Sequence, residues 1–374
     1  MTVRARAAYV AFFAAIGAFA PYIPIYYQSL GLRLDAVGLL GALSAAAGLV
    51  GAPLWGAAAD RFGTSRLVLP AAAGGAALAA AMLGVVRGPL LVVLAVGLLA
   101  VAMGGVAPIL DARALETVAD DRNRYGRLRV WGSASFIVAS LFTGWLIESR
   151  GIGLLFVVLI SGLAATAVVG FGLRSRDRVP SLRRLEGISL VLRSPALGPF
   201  LLAALLIWSA ATAINGFFSI RLVEIGAPES VVGAAWALGA LVEIPLMVAF
   251  PALGARFGAE RLLLVGAGLF VLRAIAVVLL HDPLLVTLSM GLHGGAFALS
   301  LVGGVTYVSR HAPAGAAATA QGVLNGTTFG LATILGPGLG GLMAPTLGLP
   351  GMFGVAGLAG VAGVGALWLV LRAG

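Results

Sequence analysis

VVGAAWALGALVEIPLMVAFPAL (231–253) is an unbroken apolar run with one acid, Glu243, close to its middle. Two further runs follow with the same design. LLLVGAGLFVLRAIAVVLL (262–280) holds Arg273, and LLVTLSMGLHGGAFALSLVGG (284–304) holds His293. A helix rises about 1.5 Å per residue, so a group ten or more residues from either end of such a run lies roughly 15–20 Å deep, near the centre of a ~30 Å apolar slab. An ionisable side chain at that depth costs about 2.5–3.5 kcal/mol on insertion scales and is usually set against a partner or a water-filled cavity. Three of them on three consecutive runs, one acid, one guanidinium and one imidazole, form a candidate functional cluster. The alternative is a structural ion pair between the Glu243 and Arg273 helices, with the histidine packed beside it.

The rest of the chain agrees with this membrane reading. Of 374 residues, 60% are hydrophobic and 10% charged, and the mean hydropathy is +1.07. The apolar runs are long rather than periodic, which excludes an ordinary soluble domain. There is no cysteine, so disulfides and thiolate metal sites are excluded. No cluster of His, Asp and Glu has metal-ligand spacing, and no metal or cofactor is expected. All 24 basic residues are arginine and the net charge is +10. Because the arginines fall in short segments between apolar runs, they point to membrane topology rather than to nucleic acid. With the abundance of Ala, Gly, Leu and Val, the arginine usage suggests a GC-rich prokaryotic genome. The start, MTVRARAAYVAFFAAIGAFAPYIPIYY, has the charged head of a signal peptide, but its apolar body is too long and Pro21, Pro24 and aromatics replace a small-residue cleavage site. It is read as a retained first span.

Apolar runs lie near 7–28, 36–58, 67–86, 89–110, 129–149 and 152–173, then near 197–220, 230–252, 261–280, 283–308, 315–342 and 349–371. Twelve spans place both ends of the chain on one side. The segments on that side carry 19 arginines and those on the other side four, so the positive-inside rule makes both termini cytoplasmic. The expected location is the inner (cell) membrane of a prokaryote. The stretch 174–196 carries six arginines and divides the chain into two groups of six spans, 1–173 and 197–374, for which it is the expected linker. It is also read as a solvated basic loop lying near anionic lipid.

The two groups repeat one another. A shift of 195 positions lays Leu30-Gly31 on Ile225-Gly226, Val37-Gly38 on Val232-Gly233, Arg61-Phe62-Gly63 on Arg256-Phe257-Gly258, and Arg66 on Arg261. A shift of 194 matches Gly132 with Gly326 and Gly144 with Gly338. Together these matches indicate internal duplication. Parallel repeats of six helices are a known architecture of rocking secondary transporters.

GAPLWGAAADRFGTSR (51–66), between the second and third spans, resembles the loop that marks the major facilitator superfamily, and PALGARFGAER (251–261) is its degenerate copy. Gly56 and Gly63 suit a close helix approach and a tight turn, Asp60 suits backbone donors, and Arg61 and Arg66 suit acidic groups or lipid phosphates. Arg256, Gly258 and Arg261 take the corresponding places in the copy, where Ala255 replaces the acid. These residues are expected to form a cytoplasmic gate loop; purely structural loop chemistry is the alternative. FFAAIGAFAPYIPIYYQSLGL (12–32) and DARALETVADDRNRYGRLRVWGSASF (111–136) are similar to the lactose-permease-like and phenylpropionate-permease-like branch of that superfamily. The resemblance implies an all-α membrane protein, with twelve transmembrane helices in two pseudo-symmetric six-helix bundles.

By the same resemblance Asp111 and Arg129 take the places of a carboxylate and a guanidinium that bind substrate, and Phe136 that of a stacking aromatic. Glu243, Arg273 and His293 match the acid, arginine and histidine of helices 8, 9 and 10. From the residues alone, Asp111 and Arg129 fall at the cytoplasmic ends of their apolar runs and read as interfacial. They reach a cavity only where helices 4 and 5 continue past the hydrocarbon. The sugar symporters carry a second carboxylate three residues after the helix 10 histidine, where this chain has Ala296. A proton-coupling role therefore falls first to Glu243, whose affinity for a proton depends on burial and on a nearby arginine, so that Arg273 takes part by moving towards or away from it, then to Asp111 and His293. Asn215, Gln321 and Asn325 are candidates to hydrogen-bond a solute, or else amides joining neighbouring helices. Tyr22, Tyr26 and Tyr27 read as interface-belt aromatics, and Pro337 and Pro345 as hinges.

The expected function is a proton-coupled symporter importing a small polar organic solute (a sugar, nucleoside or aromatic acid) by alternating access, with a drug- or metabolite-exporting proton antiporter as the alternative. No nucleophile–base pair or metal site supports an enzyme. The expected partners are the lipid bilayer, a small-molecule substrate and protons, with the chain acting as a monomer and no nucleic acid involved.

Overall fold

The computed structural model describes residues 2–61, 67–117, 122–173 and 186–373. Within them the first half contains α1 (Thr2–Phe19), α2 (Ile23–Ser29), α3 (Leu34–Arg61), α4 (Val68–Val85), α5 (Pro89–Thr117), α6 (Arg122–Arg150) and α7 (Leu154–Gly170). The second contains α8 (Glu186–Leu192), α9 (Leu197–Glu224), α10 (Glu229–Phe257), α11 (Ala259–Leu279), α12 (Pro283–His311), α13 (Ala317–Asn325), a π-helical turn (Gly326–Leu331) and α14 (Ala332–Ala373).

The twelve apolar runs correspond to twelve helical passages. Among the described residues, nine helical stretches are long and apolar enough to cross a membrane. A tenth passage is the pair α1 and α2, bent by 42° at the Ala20–Tyr22 break, and an eleventh is the shorter apolar α7. The twelfth comes from dividing the last stretch at Gly348, whose φ of 67° and ψ of 171° are not helical. Glycine tolerates this conformation because no Cβ collides with the backbone. The chain folds back there: a Cβ built on Gly340 would lie 3.4 Å from the sulfur of Met352, twelve residues on. Twelve residues of straight helix would span about 18 Å. The reversal therefore falls at Gly348, between the apolar runs 315–342 and 349–371, and Pro337 and Pro345 lie inside α14.

Burial is inverted relative to a water-soluble helix. On α4 the alanines at 72, 73, 76 and 80 are fully buried, while Leu78 is 76% exposed. With lipid outside there is no penalty for an outward leucine, and small residues inward let backbones approach. The matched glycines Gly31 and Gly226 both have positive φ, 77° and 89°, in equivalent turns after α2 and α9.

The chain separates into two compact units. One comprises Met1–Leu32, Leu43–Pro180 and Pro228–Ala237, and the other Arg33–Ala42, Ser181–Ala227 and Leu238–Gly374. The boundaries thus fall inside α3 and α10. In the first unit α1 packs on α6 and α7, and α4 on α5 and α7. Tyr22, Tyr26 and Tyr27 are core residues there rather than belt aromatics. They are 0–4% exposed, and the hydroxyls of Tyr22 and Tyr26 donate to the carbonyls of Ser140 at 2.6 Å and Leu83 at 2.8 Å. In the second unit α9 packs on α14, and α11 on α12 and α14. Gly38, at the start of α3, lies so close to α14 that an added Cβ would stand 2.5 Å from the Cα of Gly341.

Candidate functional site

Two polar clusters stand among the helices, one in each unit. That of the second unit is centred on Arg273 of α11, which is 1% exposed. One of its nitrogens, Nη1, donates to Oδ1 of Asn215 on α9 at 2.6 Å. The same nitrogen stands 3.4 Å from Nδ1 of His293 on α12. A guanidinium has donors only, so this Nδ1 accepts and the ring proton of His293 sits on Nε2. Nη2 of Arg273 donates to the sulfur of Met290 at 3.2 Å, and the guanidinium carbon lies 4.9 Å from the ring centre of Phe218. Nε is buried with no hydrogen-bond partner among the described residues.

Every one of these partners is neutral, and among the described residues Arg273 has no carboxylate within ion-pair distance. The structural ion pair between Glu243 and Arg273, one of the two readings of the sequence, is therefore not what holds Arg273. Glu243 is partly buried on α10. Its backbone nitrogen would lie 3.1 Å from a Cβ placed on Gly294, so α10 passes close to α12 beside His293. An orphaned buried donor costs about 1–3 kcal/mol, on top of the cost of the buried charge. A fold tolerates such a group where something else is gained.

An aromatic wall surrounds the imidazole. Its centre is 5.9 Å from that of Phe270 and 6.0 Å from that of Phe297. Trp208 meets Phe270, Phe297 and Phe329 at 5.8, 5.4 and 5.1 Å, edge to face in each case. Phe329 belongs to the π-helical turn, a distortion frequent at functional sites. Arg273 is closed off, whereas Asn215, His293 and Phe297 keep part of their surface open.

The cluster of the first unit joins Asp111, Arg129, Tyr9 and Phe13. Helix α5 runs on to Thr117 and α6 begins at Arg122, so Asp111 and Arg129 lie within helices rather than at their ends. Nη1 of Arg129 is 3.8 Å from Oδ1 of Asp111, with the two side chains 50% and 34% exposed. The hydroxyl of Tyr9 donates to that same Oδ1. The ring of Tyr9 stacks on that of Phe13 at 5.9 Å, and the Arg129 guanidinium lies over Phe13 at 5.0 Å. Phe136 follows Arg129 by two turns of α6 and is partly exposed. Between them the side chain of Phe13 packs on Gly132. Tyr9 and Phe13 were absent from the sequence reading. Their spacing of four, continued at Gly17, marks one face of α1 and was the available signal.

The remaining candidates are not gathered here. Gln321 donates through Nε2 to the Val305 carbonyl and to Oγ of Ser309, each at 2.9 Å. It joins α13 to α12 and does not meet Asn215. Asn325 ends α13 and is exposed. In the gate loop Gly63 and Arg66 lie outside the described residues, as does the side chain of Asp60; Arg61 is exposed at the end of α3. A Cβ on Gly56 would meet nothing within 4 Å, so the close approach expected there does not occur among the described residues. In the second copy Gly258 turns the chain with φ 89°. Arg256 lies against the ring of Phe257 at 5.1 Å, and Arg261 is exposed. Near it the sequence reading missed an ion pair between Arg310 and Glu260 at 2.9 Å.

Comparison with known proteins agrees with this architecture. The model of the MFS_1 like family matches residues 2–353. The maltose permease of Geobacillus stearothermophilus is 29% identical over 328 residues, 86% of this chain and 82% of its own. The probable 3-phenylpropionic acid transporter of Escherichia coli strain K12 is 26% identical over 322 residues, 80% of each chain. A mutant of the nucleoside transporter NupG superposes with a TM-score of 0.87 over 99% of both chains, at 17% identity, a likeness of fold alone.

Proposed function

The chain belongs to the MFS_1 like family and is a multi-pass membrane transporter of the major facilitator superfamily, not an enzyme; from that premise we propose that it is a proton-coupled symporter importing a small polar organic solute. The observation that carries the proposal is the Arg273–Asn215–His293 cluster. It sets a buried guanidinium and two groups of partly open surface inside membrane-spanning helices.

In this reading Asn215 and His293 hydrogen-bond the solute, and Arg273 holds both in place. Asp111, Arg129 and Phe136 are the further solute-binding candidates, with Tyr9 and Phe13 fixing the Asp111 and Arg129 side chains. Glu243 exchanges the proton, with Asp111 and His293 as the next candidates. The gate-loop residues, from Gly56 to Arg66 and from Arg256 to Arg261, act on the cytoplasmic side as the halves 1–173 and 197–374 alternate access about the 174–196 linker. Both termini are cytoplasmic in a prokaryotic inner membrane, the working unit is a monomer, and the proton gradient supplies the energy in place of any cofactor.

The test is uptake by proteoliposomes under an imposed pH gradient. Solute accumulating with the inward flow of protons supports symport. Loss of solute against that flow would assign export by antiport instead. Glu243→Gln is expected to abolish uphill accumulation and to spare exchange; unchanged uphill uptake would remove Glu243 from the coupling role.

A further inference from the structure

We infer that Arg273 fixes the hydrogen-bond sense of its cluster: Asn215 and His293 meet the solute only as donors, so the solute atom docked between them is an acceptor oxygen or an unprotonated ring nitrogen. This inference rests on the transport reading above, deepens its binding site and takes His293 out of the proton path.

Three observations carry it. First, Arg273 engages the acceptor of each neighbour. Its Nη1 donates to Oδ1 of Asn215 at 2.6 Å and stands 3.4 Å from Nδ1 of His293. An unprotonated imidazole nitrogen has one lone pair, so that of Nδ1 is already engaged. His293 can take up a proton there only by breaking the contact. Oδ1 keeps a second lone pair, yet a solute hydroxyl donating to it would bring its positive end beside a buried cation. Second, what both side chains have left is N–H, at Nδ2 of Asn215 and Nε2 of His293. Both residues keep open surface, and neither nitrogen has a hydrogen-bond partner among the described residues. Third, the guanidinium is 1% exposed. The solute therefore meets Arg273 through these two side chains, and Arg273 is a positioning residue.

The surroundings leave that sense unopposed. Phe270 and Phe297 stand 5.9 and 6.0 Å from the imidazole, ring centre to ring centre, so its two nitrogens are its polar outlets. Helix α10 touches the ring at Gly239, where an added Cβ would lie 3.7 Å from Cδ2, and Glu243 follows one turn on. Of the other helices packed on α12, α9 brings Asn215 to the cluster and α13 has no ionisable side chain. Arg273 on α11 and Glu243 on α10 are thus the ionisable groups beside His293. Among the described residues no carboxylate lies within ion-pair distance of the ring. A solute that presented an ammonium or another pure donor here would leave two N–H groups unpaired, and it is rejected.

The test reads the imidazole first. The full-length chain, with its histidines labelled with nitrogen-15, is measured by NMR in nanodiscs, and His281→Gln and His311→Gln identify the His293 signals by elimination. His293 is expected to be neutral with its proton on Nε2 from about pH 5 to 8, and to mix tautomers or titrate in Arg273→Gln. An imidazolium, or a proton on Nδ1, in the unaltered chain overturns the inference even where that variant fails to fold; signals unchanged by Arg273→Gln overturn it too. Counterflow of maltose, uridine and 3-phenylpropionate in proteoliposomes then compares His293→Gln, which keeps an N–H within reach of the Nε2 position, with His293→Glu, which offers acceptors only. Exchange is expected to persist in the first and to fall about tenfold or more in the second, with the second no less stable to heat. Equal exchange by the two variants overturns the inference. Exchange of none of the three by the unaltered chain counts against the transport reading alone, and the nitrogen signals still decide the inference.

Discussion

Nη1 of Arg273 reaches Oδ1 of Asn215 across 58 positions of sequence, at 2.6 Å. A cation has been given the partial charge of an amide where the isosteric aspartate would have supplied a full one. Asn215→Asp is therefore expected to raise the melting temperature by roughly 2–4 °C, the shift of about 1 kcal/mol in a large domain, while abolishing solute exchange. Asn215→Ala is expected to lower stability by about 1–3 kcal/mol by orphaning a second donor. Thermal unfolding in detergent, paired with counterflow, checks both signs.

Tyr9 offers a cleaner separation of binding from folding. Tyr9→Phe keeps the stack on Phe13 and deletes only the hydroxyl that donates to Asp111. A hydrogen bond to a charged acceptor contributes about 1.5–3 kcal/mol, much of it screened here because Asp111 is a third exposed. The expected outcome is a several-fold rise in KM for uptake with little change in melting temperature. An unchanged KM would remove the first-unit cluster from solute binding.

Two glycines on α3 make opposite predictions. Gly38→Leu places a Cβ 2.5 Å from the Cα of Gly341, backbone that cannot move aside as a side chain would. Overpacking of this kind costs about 1–3 kcal/mol or more. Gly56 has open space around it, so Gly56→Ala is expected to be neutral or to stabilise by about 0.4–1 kcal/mol through lost unfolded-state entropy. Parallel melting curves decide whether the glycines of α3 act by proximity or by flexibility.

Arg113 on α5 is 4% exposed and donates to the carbonyls of Gly170 and Leu173 at 3.4 and 3.2 Å, at the end of α7. The Gly170 carbonyl, which also accepts from the backbone nitrogen of Leu173 at 3.1 Å, ends α7, and the Leu173 carbonyl lies three residues beyond it. Arg113→Ala is expected to destabilise by about 2–4 kcal/mol, within the range for removing a buried charged hydrogen-bonding group. The measurement is residual folded fraction after heating, read by size-exclusion chromatography.

The twelve passages were legible because hydrocarbon length is a one-dimensional property. Even the matched turns at Gly31 and Gly226 could be found by shifting the chain on itself. The intramembrane positions of Arg273 and His293 were legible for the same reason. Their partners were not, because facing depends on helix rotation, which nearly uniform apolar runs leave undetermined. Asn215 and Gln321 looked equivalent as lone amides, and only packing sends one to Arg273 and the other to Ser309. For Asp111 and Arg129 the sequence left the extent of the helices open, because hydropathy ends before the helices do: α5 continues to Thr117 on polar residues. The tyrosines after Pro21 were misjudged because residue type was allowed to stand for orientation.

Gly348 joins the eleventh and twelfth passages through a single non-helical residue. Gly258 makes an equally tight joint between α10 and α11; a longer loop lets neighbouring rods tilt independently, but at Gly348 there is no slack to take up. The pair is yoked, and a lean in the rod carrying Pro337 must tow the terminal rod with it. An epitope spliced in after Gly348 would sever that yoke even though it touched no polar residue in the protein.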